Sequence, residues 1–241
     1  MAQGEFLSLL LQVVRMPESS AARDPDWRPK AIVFDLLTGL LDSWSLWDAS
    51  TPSGTAAEGR PWRARYLKLT FEAGSYSPYE DFVRQAARDV GLPDSAPEAL
   101  LRDWANLQPW PEAGETLRQL KENGYELGVV TNCSKQMGNL AASNVAKQVD
   151  PVAGQAFKAV VTAEESGFYK PVGKAYEAIL EALGVKATEA LFVAGSAGDV
   201  EGATAVGMKV VWHNKAGLER KGSAIALRES DTLNDALRNF I

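Results

Sequence analysis

The chain has 241 residues, enough for one large domain or one domain carrying an insertion, and enough to bury a core without disulfide or metal staples. Hydrophobic residues make up 46% and charged residues 23%, which excludes a disordered polymer. The net charge of −6 and the sequence pI near 5.0 exclude a broad basic surface, so neither nucleic acid nor an anionic membrane is expected as the main partner. A small anionic substrate stays open, because one buried Arg or Lys can bind it. The single cysteine, Cys133, excludes an intrachain disulfide and cysteine-built zinc sites. The single histidine, His213, excludes histidine-pair metal motifs.

In chain order, residues 1–28 read as an N-terminal extension, with a loop at Pro17, Glu18, Ser19 and Ser20. The apolar stretch Phe6–Val14 is short and lacks a basic flank, so it is not read as a signal peptide. No apolar run reaches the roughly 18 residues of a membrane span. A cytoplasmic location is expected, and a homodimer is left open. Lys30–Asp35 is a short apolar β run ending in an acid. Four more strands follow at Tyr125–Asn132, Phe157–Ala163, Ala190–Ser196 and Lys209–Asn214. Helical patterns at Glu112–Asn123, Lys135–Lys147, Gly173–Leu183 and Val200–Val206 separate most of them, with Gly124 and Gly184 at C-cap positions. Near-continuous apolar strands alternating with helices predict an α/β fold, a Rossmann-like parallel sheet with helices on both faces.

From about Trp44 to Trp110 the alternation breaks and only helix signals appear. Ser77-Pro78-Tyr79-Glu80 and Ser95-Ala96-Pro97-Glu98 read as capping boxes, and a further helix spans Pro61 to Ala73. The expected organisation is a core of residues 29–45 and 111–241 with an all-helical cap of residues 46–110. Ligands of open α/β sheets bind beyond the carboxyl ends of the strands. Those ends carry Asp35, Thr131 with Asn132, and Ser196 shortly before Asp199, while the loop after the third strand carries Lys170.

With these residues in these places, the chain resembles the haloacid dehalogenase superfamily. The motifs are Phe34-Asp35-Leu36-Leu37-Thr38-Gly39, Val130-Thr131-Asn132-Cys133-Ser134, Phe168-Tyr169-Lys170-Pro171 with Tyr176, and Phe192-Val193-Ala194-Gly195-Ser196-Ala197-Gly198-Asp199. Most of that superfamily are magnesium phosphatases with a second acid two residues after the nucleophile and another five residues before the last motif acid. Here those positions hold Leu37 and Ala194. Asp35 and Asp199 alone make a poor Mg²⁺ site, so no metal or cofactor is expected. The resemblance is to the metal-independent L-2-haloacid dehalogenase branch, whose cap carries a Trp-Arg pair. Trp62-Arg63 matches that pair, and Arg65 is a nearby competitor; residues two apart on a helix point about 200° apart, so only one faces the cleft. The branch usually reads Gly-Thr where this chain reads Thr38-Gly39, Ser where it has Ala194, and Asn where it has Ser196.

The resemblance implies attack by the Asp35 carboxylate on C2 of a small carboxylic acid, then hydrolysis of the aspartyl ester. Lys170 keeps Asp35 ionised, and Thr131 and Asn132 orient carboxylates. Asp199 holds Lys170 or activates water, Ser196 accompanies them, and Arg63 binds either the leaving anion or the substrate carboxylate. Tyr176, Leu37, Trp44 and Trp47 are expected on the substrate and leaving-group side. A 2-haloacid of S configuration, giving the R hydroxy acid, is the expected substrate. Ring opening of L-azetidine-2-carboxylate by the same attack and non-catalytic binding of a small acid are the alternatives. His213 and Cys133 read as packed structural residues.

Overall fold

The structure, a computed structural model, describes residues 27–241. The expected loop at residues 17–20 and the apolar stretch Phe6–Val14 lie outside the described residues. Trp27, placed in the extension from sequence, instead packs edge-on against Phe240 at the base of the sheet, with ring centroids 6.4 Å apart.

The elements run β1 (Ala31–Asp35), α1 (Ser43–Ala49), α2 (Ala56–Ala73), α3 (Tyr79–Asp89), α4 (Ser95–Arg102), α5 (Ala113–Glu122), β2 (Glu126–Thr131), α6 (Lys135–Val149), β3 (Ala159–Thr162), α7 (Ala163–Ser166), α8 (Gly173–Leu183), β4 (Ala190–Ala194), α9 (Ala197–Ala205), β5 (Lys209–His213), β6 (Arg228–Ser230) and α10 (Leu233–Leu237). The sheet is parallel throughout, in the order β3-β2-β1-β4-β5-β6. Every residue of β1 and β4 is buried, as expected for strands covered on both faces, and this explains why they read as unbroken apolar runs. Side chains alternate across the sheet. Ile32 and Phe34 join one core cluster with Leu117, Val145 and Leu237, while Ala31 and Val33 join another with Ile179, Val200 and Ala203. β1 is central, so its C-terminal residue, Asp35, emerges at the middle of the ligand-binding edge.

Between β1 and α5 the described chain is helical, apart from its connections and single bridges. Backbone hydrogen bonds join the two ends of this stretch and tie it to a loop of the core. Asp42 N donates to Gln108 O at 2.8 Å where the stretch leaves and returns. Tyr76 N donates to Gly167 O at 2.9 Å, and Tyr169 N donates to Gly74 O at 2.8 Å, so the loop leading into Lys170 is bonded to the α2–α3 connection. Trp47, Trp62, Tyr66, Tyr79 and Trp104 form a chain of contacting rings through its interior, each contact worth about 1 kcal/mol beyond burial.

Several local expectations are corrected. Neither Ser77 nor Ser95 caps a helix: Pro78 and Asp94 occupy those positions, without side-chain cap bonds. Glu80 closes no capping box and instead accepts from the Ser134 hydroxyl at 2.7 Å, because a partner across the fold wins over the local one. α2 starts at Ala56, five residues before Pro61, and that proline lies inside it. The short α1, α7, α10 and β6 were not foreseen; each is under eight residues, too short for a periodic signal.

Candidate active site

Asp35 is buried at the end of β1, and its two carboxylate oxygens have different surroundings. The chain turns back immediately after the strand, and this aims successive backbone N–H groups at one oxygen. Oδ2 accepts from Thr38 N and Gly39 N, both at 3.0 Å, and from the Thr38 hydroxyl at 2.6 Å. Oδ1 accepts from Lys170 Nζ at 2.8 Å. Glycine is required twice here by close approach. A Cβ on Gly39 would strike the Asp35 carbonyl, and one on Gly195 would strike the Thr38 hydroxyl and lie 2.5 Å from Asp35 Oδ2.

Lys170, 2% exposed, also lies 3.1 Å from Asp199 Oδ1, so one ammonium bridges two buried carboxylates. Asp199 sits in the first turn of α9, with Oδ1 accepting from the Tyr176 hydroxyl at 2.9 Å and Oδ2 from Ser196 Oγ at 3.1 Å. Burial pushes the Asp35 carboxyl up, but the Lys170 charge and the bonds from Lys170 and Thr38 outweigh it and hold the group below the usual carboxylate range. Asp199 goes the other way: burial and the neighbouring Asp35 charge raise it despite Lys170. Burial lowers Lys170, but Asp199 and Asp35 together raise it above the ordinary lysine value.

The facing wall is the helical stretch. Arg63 on α2 is 2% exposed, and its guanidinium lies over Trp44 with its carbon 4.1 Å from the ring centroid. Its Nε and Nη1 have no hydrogen-bond partner among the described residues. Burial lowers its pKa to about 10, which leaves it a cation at neutral pH. Arg65, the competitor, points outward and pairs with Asp89 at 2.6 Å.

Asp35, Leu37, Thr38, Trp44, Arg63, Asn132, Lys170, Ser196 and Asp199 thus line one cleft with Tyr66, Leu67, Phe71 and Leu218. Its open volume is about 30 Å³, room for about two waters. A cavity of about 540 Å³ adjoins it and shares Trp44, Leu67, Phe71, Ser196 and Leu218.

Four expected site residues are placed differently. Thr131 is buried behind the cleft with its hydroxyl 3.5 Å from Cys133 Sγ, and it reaches neither carboxylate. Asn132 lines the cleft, but its amide pairs with the main chain of Lys170, accepting from the N–H at 2.7 Å and donating to the carbonyl at 3.0 Å. Tyr176 stands behind Asp199 rather than in the cleft, and Trp47 packs against Trp62 and Tyr66. Asn132, Tyr176 and Trp47 find their partners at a distance along the chain, where spacing carries no signal, while Thr131 turns to Cys133 two residues on. Thr38, Tyr66, Leu67, Phe71 and Leu218 were missed. Thr38 had a usable signal, since a hydroxyl three residues after a strand-end acid can close a turn onto it.

A family profile for haloacid dehalogenase-like hydrolases matches residues 29–207. The chain belongs to the haloacid dehalogenase-like hydrolases. A protein of Burkholderia cepacia named (S)-2-haloacid dehalogenase 4A is 30% identical over 200 residues, which span 78% of this chain and 84% of that protein. A solved L-2-haloacid dehalogenase is 28% identical with a TM-score of 0.75, covering 88% of this chain and 98% of that one. A phosphatase of Mycobacterium tuberculosis is 33% identical over 147 residues, 60% of this chain and 65% of that protein. The likeness to dehalogenases thus runs through the core strands and the helical stretch between them, and it places the chain in the L-2-haloacid dehalogenase branch of the family.

Proposed function

We propose that this hydrolase displaces a halide from C2 of an (S)-2-haloacid, giving the (R)-2-hydroxy acid through an aspartyl ester on Asp35, without a metal ion. The carrying observation is the asymmetry of the Asp35 carboxylate: Oδ2 is fixed by three donors, while Oδ1, among the described residues, meets only Lys170, in a cleft that Asp35 and Arg63 both line. Oδ1 attacks C2, the carbon–halogen bond breaks, and the halide leaves with its electron pair on the far side of the carbon. The facing wall carries the buried, unpartnered Arg63 guanidinium, which receives that anion. Lys170 keeps Asp35 ionised, and Asn132 holds the Lys170 main chain in place. Tyr176 and Ser196 hold Asp199, which in turn steadies Lys170. With only about 30 Å³ open beside Asp35, the remainder of the acid extends into the adjoining cavity past Leu67, Phe71 and Leu218, so an alkyl or aryl chain on C2 is accommodated. The helical segment 46–110 serves as the cap that excludes water during attack.

The donor set fits a divalent ion poorly. Each carboxylate oxygen of Asp35 and Asp199 already accepts from a protein donor, and Ala194 brings no oxygen. Leu37, apolar and in the cleft, replaces the acid a phosphate ester's leaving group needs. The test is one turnover of 2-chloropropionate in heavy-oxygen water, with and without chelator. The expected result is label on Asp35, unlabelled product and no effect of chelator. Label in the first-turnover product would overturn the covalent route. Mg²⁺-dependent hydrolysis of a phosphate monoester would favour the activity named for the mycobacterial relative.

A further inference from the structure

The turn after Asp35 is gripped from behind, one carbonyl at a time. The Ser43 hydroxyl donates to Leu37 O. Trp110 Nε1 donates to Thr38 O at 3.1 Å. His213 Nδ1 lies 2.9 Å from Gly39 O, and since a carbonyl only accepts, that nitrogen carries the proton. The backbone N–H of Trp110 takes the next carbonyl, Leu40 O, at 2.9 Å. Ser43 opens α1, Trp110 precedes α5 and His213 ends β5, so three separate parts of the chain converge on one turn. All three side chains are buried, at 0%, 9% and 1% exposure.

The first two of these carbonyls are the other ends of the peptide groups that matter at the site. The Leu37 carbonyl shares its peptide with Thr38 N–H, and the Thr38 carbonyl shares its peptide with Gly39 N–H. Both N–H groups donate to Asp35 Oδ2. A peptide whose carbonyl accepts a hydrogen bond is polarised and donates more strongly through its N–H, and it cannot rotate away. The brace therefore acts at a distance from the substrate on the one oxygen that does not attack.

We infer that Ser43 and Trp110 are positioning residues that preset an oxyanion site around Asp35 Oδ2 for the hydrolysis half of the reaction, with His213 holding the next peptide of the same turn. The inference rests on the aspartyl-ester reading above. In the ester, Oδ1 is bonded to C2 and Oδ2 is the carbonyl oxygen. Water adds to Cγ, and the electron pair of the Cγ–Oδ2 double bond moves onto Oδ2. When the pair returns, the Cγ–Oδ1 bond breaks and Oδ1 leaves with the product as its hydroxyl, taking one proton; the other goes to solvent. Negative charge thus grows on Oδ2 in this half only. In the alkylation half Asp35 starts as a full carboxylate and loses charge, so donors on Oδ2 hold back the attack slightly. The brace favours one half-reaction and not the other, and a purely structural role would not show that opposition.

The experiment is rapid quench of the full-length enzyme with 2-chloropropionate, reading ester-bearing protein by intact mass and halide release in parallel. Wild type is compared with Trp110→Phe, which keeps the ring, and with Ser43→Ala; Ser43→Thr serves as the rescue. The expected result is ester hydrolysis slowed about tenfold in both variants with halide release in the first turnover undiminished, so that ester accumulates, and recovery in Ser43→Thr. Equal loss in both halves, or no accumulation, would overturn the brace while leaving the ester reading intact. Turnover by wild type and variants without any Asp35 ester would overturn the reading and the brace together. Ser43→Ala keeps the test open if Trp110→Phe fails to fold.

Discussion

The two walls of the cleft are built on opposite principles. On the sheet side every carboxylate oxygen has a partner, and even the peptide groups that supply those partners are held from behind. On the helical side Arg63 is as deeply buried but has two guanidinium nitrogens without a partner among the described residues. A satisfied polar network fixes geometry; an unsatisfied buried cation stores affinity for an anion that has yet to arrive. On the proposed reaction, the sheet wall would serve bond-making and the helical wall would take up what leaves.

Substitutions should separate the walls. Asp35→Asn removes the attacking charge and should lower turnover by about 10⁴-fold or more with the fold kept, as measured by halide release and thermal melting. Lys170→Ala should also remove most activity. It leaves two buried carboxylates facing each other, so it should cost about 3–5 kcal/mol of stability in denaturant titration. Arg63→Leu is the contrasting case. It should lower kcat/KM by about 10²-fold, yet melt close to wild type, because it removes a buried charge that faces the Trp44 ring and pairs with no carboxylate among the described residues. An Arg63 variant as destabilised as the Lys170 variant would erase the distinction between the walls.

The smallest expected effect concerns pH. Asp35 has a depressed pKa, so its contribution to stability is present above the ordinary carboxylate value and lost only as pH falls through the lower, folded one. Lys170 has a raised pKa, so its contribution is present below the ordinary lysine value and lost only as pH rises through the higher, folded one. Neither titrates near neutrality. His213 differs, because burial lowers it below 6.5. The unfolded chain takes up a proton there before the folded one does, so stability should fall as pH drops below the ordinary histidine value and level off below the lower, folded one. Melting across that range checks this, and His213→Asn should flatten the decline.

Much of this architecture was legible in the order of residues. The five strands read from sequence appear within one or two residues of their expected places, because strands buried on both faces must be apolar throughout. The positions of Asp35, Lys170 and Asp199 near the binding edge were legible as well, since Asp35 ends β1, Lys170 follows β3 and the short α7, and Asp199 lies in the first turn of the helix after β4, where the topology of a parallel sheet gathers polar groups. The helical stretch was legible from its lack of alternation, although its caps were misassigned.

Tertiary structure decided which of two arginines faces the cleft, that Asn132 holds a backbone rather than a carboxylate, and that Tyr176 backs Asp199. It alone joined Ser43, Trp110 and His213 to three consecutive carbonyls. The physical reason is common to all of them. Periodicity and capping are local, so they leave a trace within a few residues of sequence. A hydrogen bond between positions such as Gly39 and His213, 174 residues apart, leaves no trace in the chain until the sheet brings the two together.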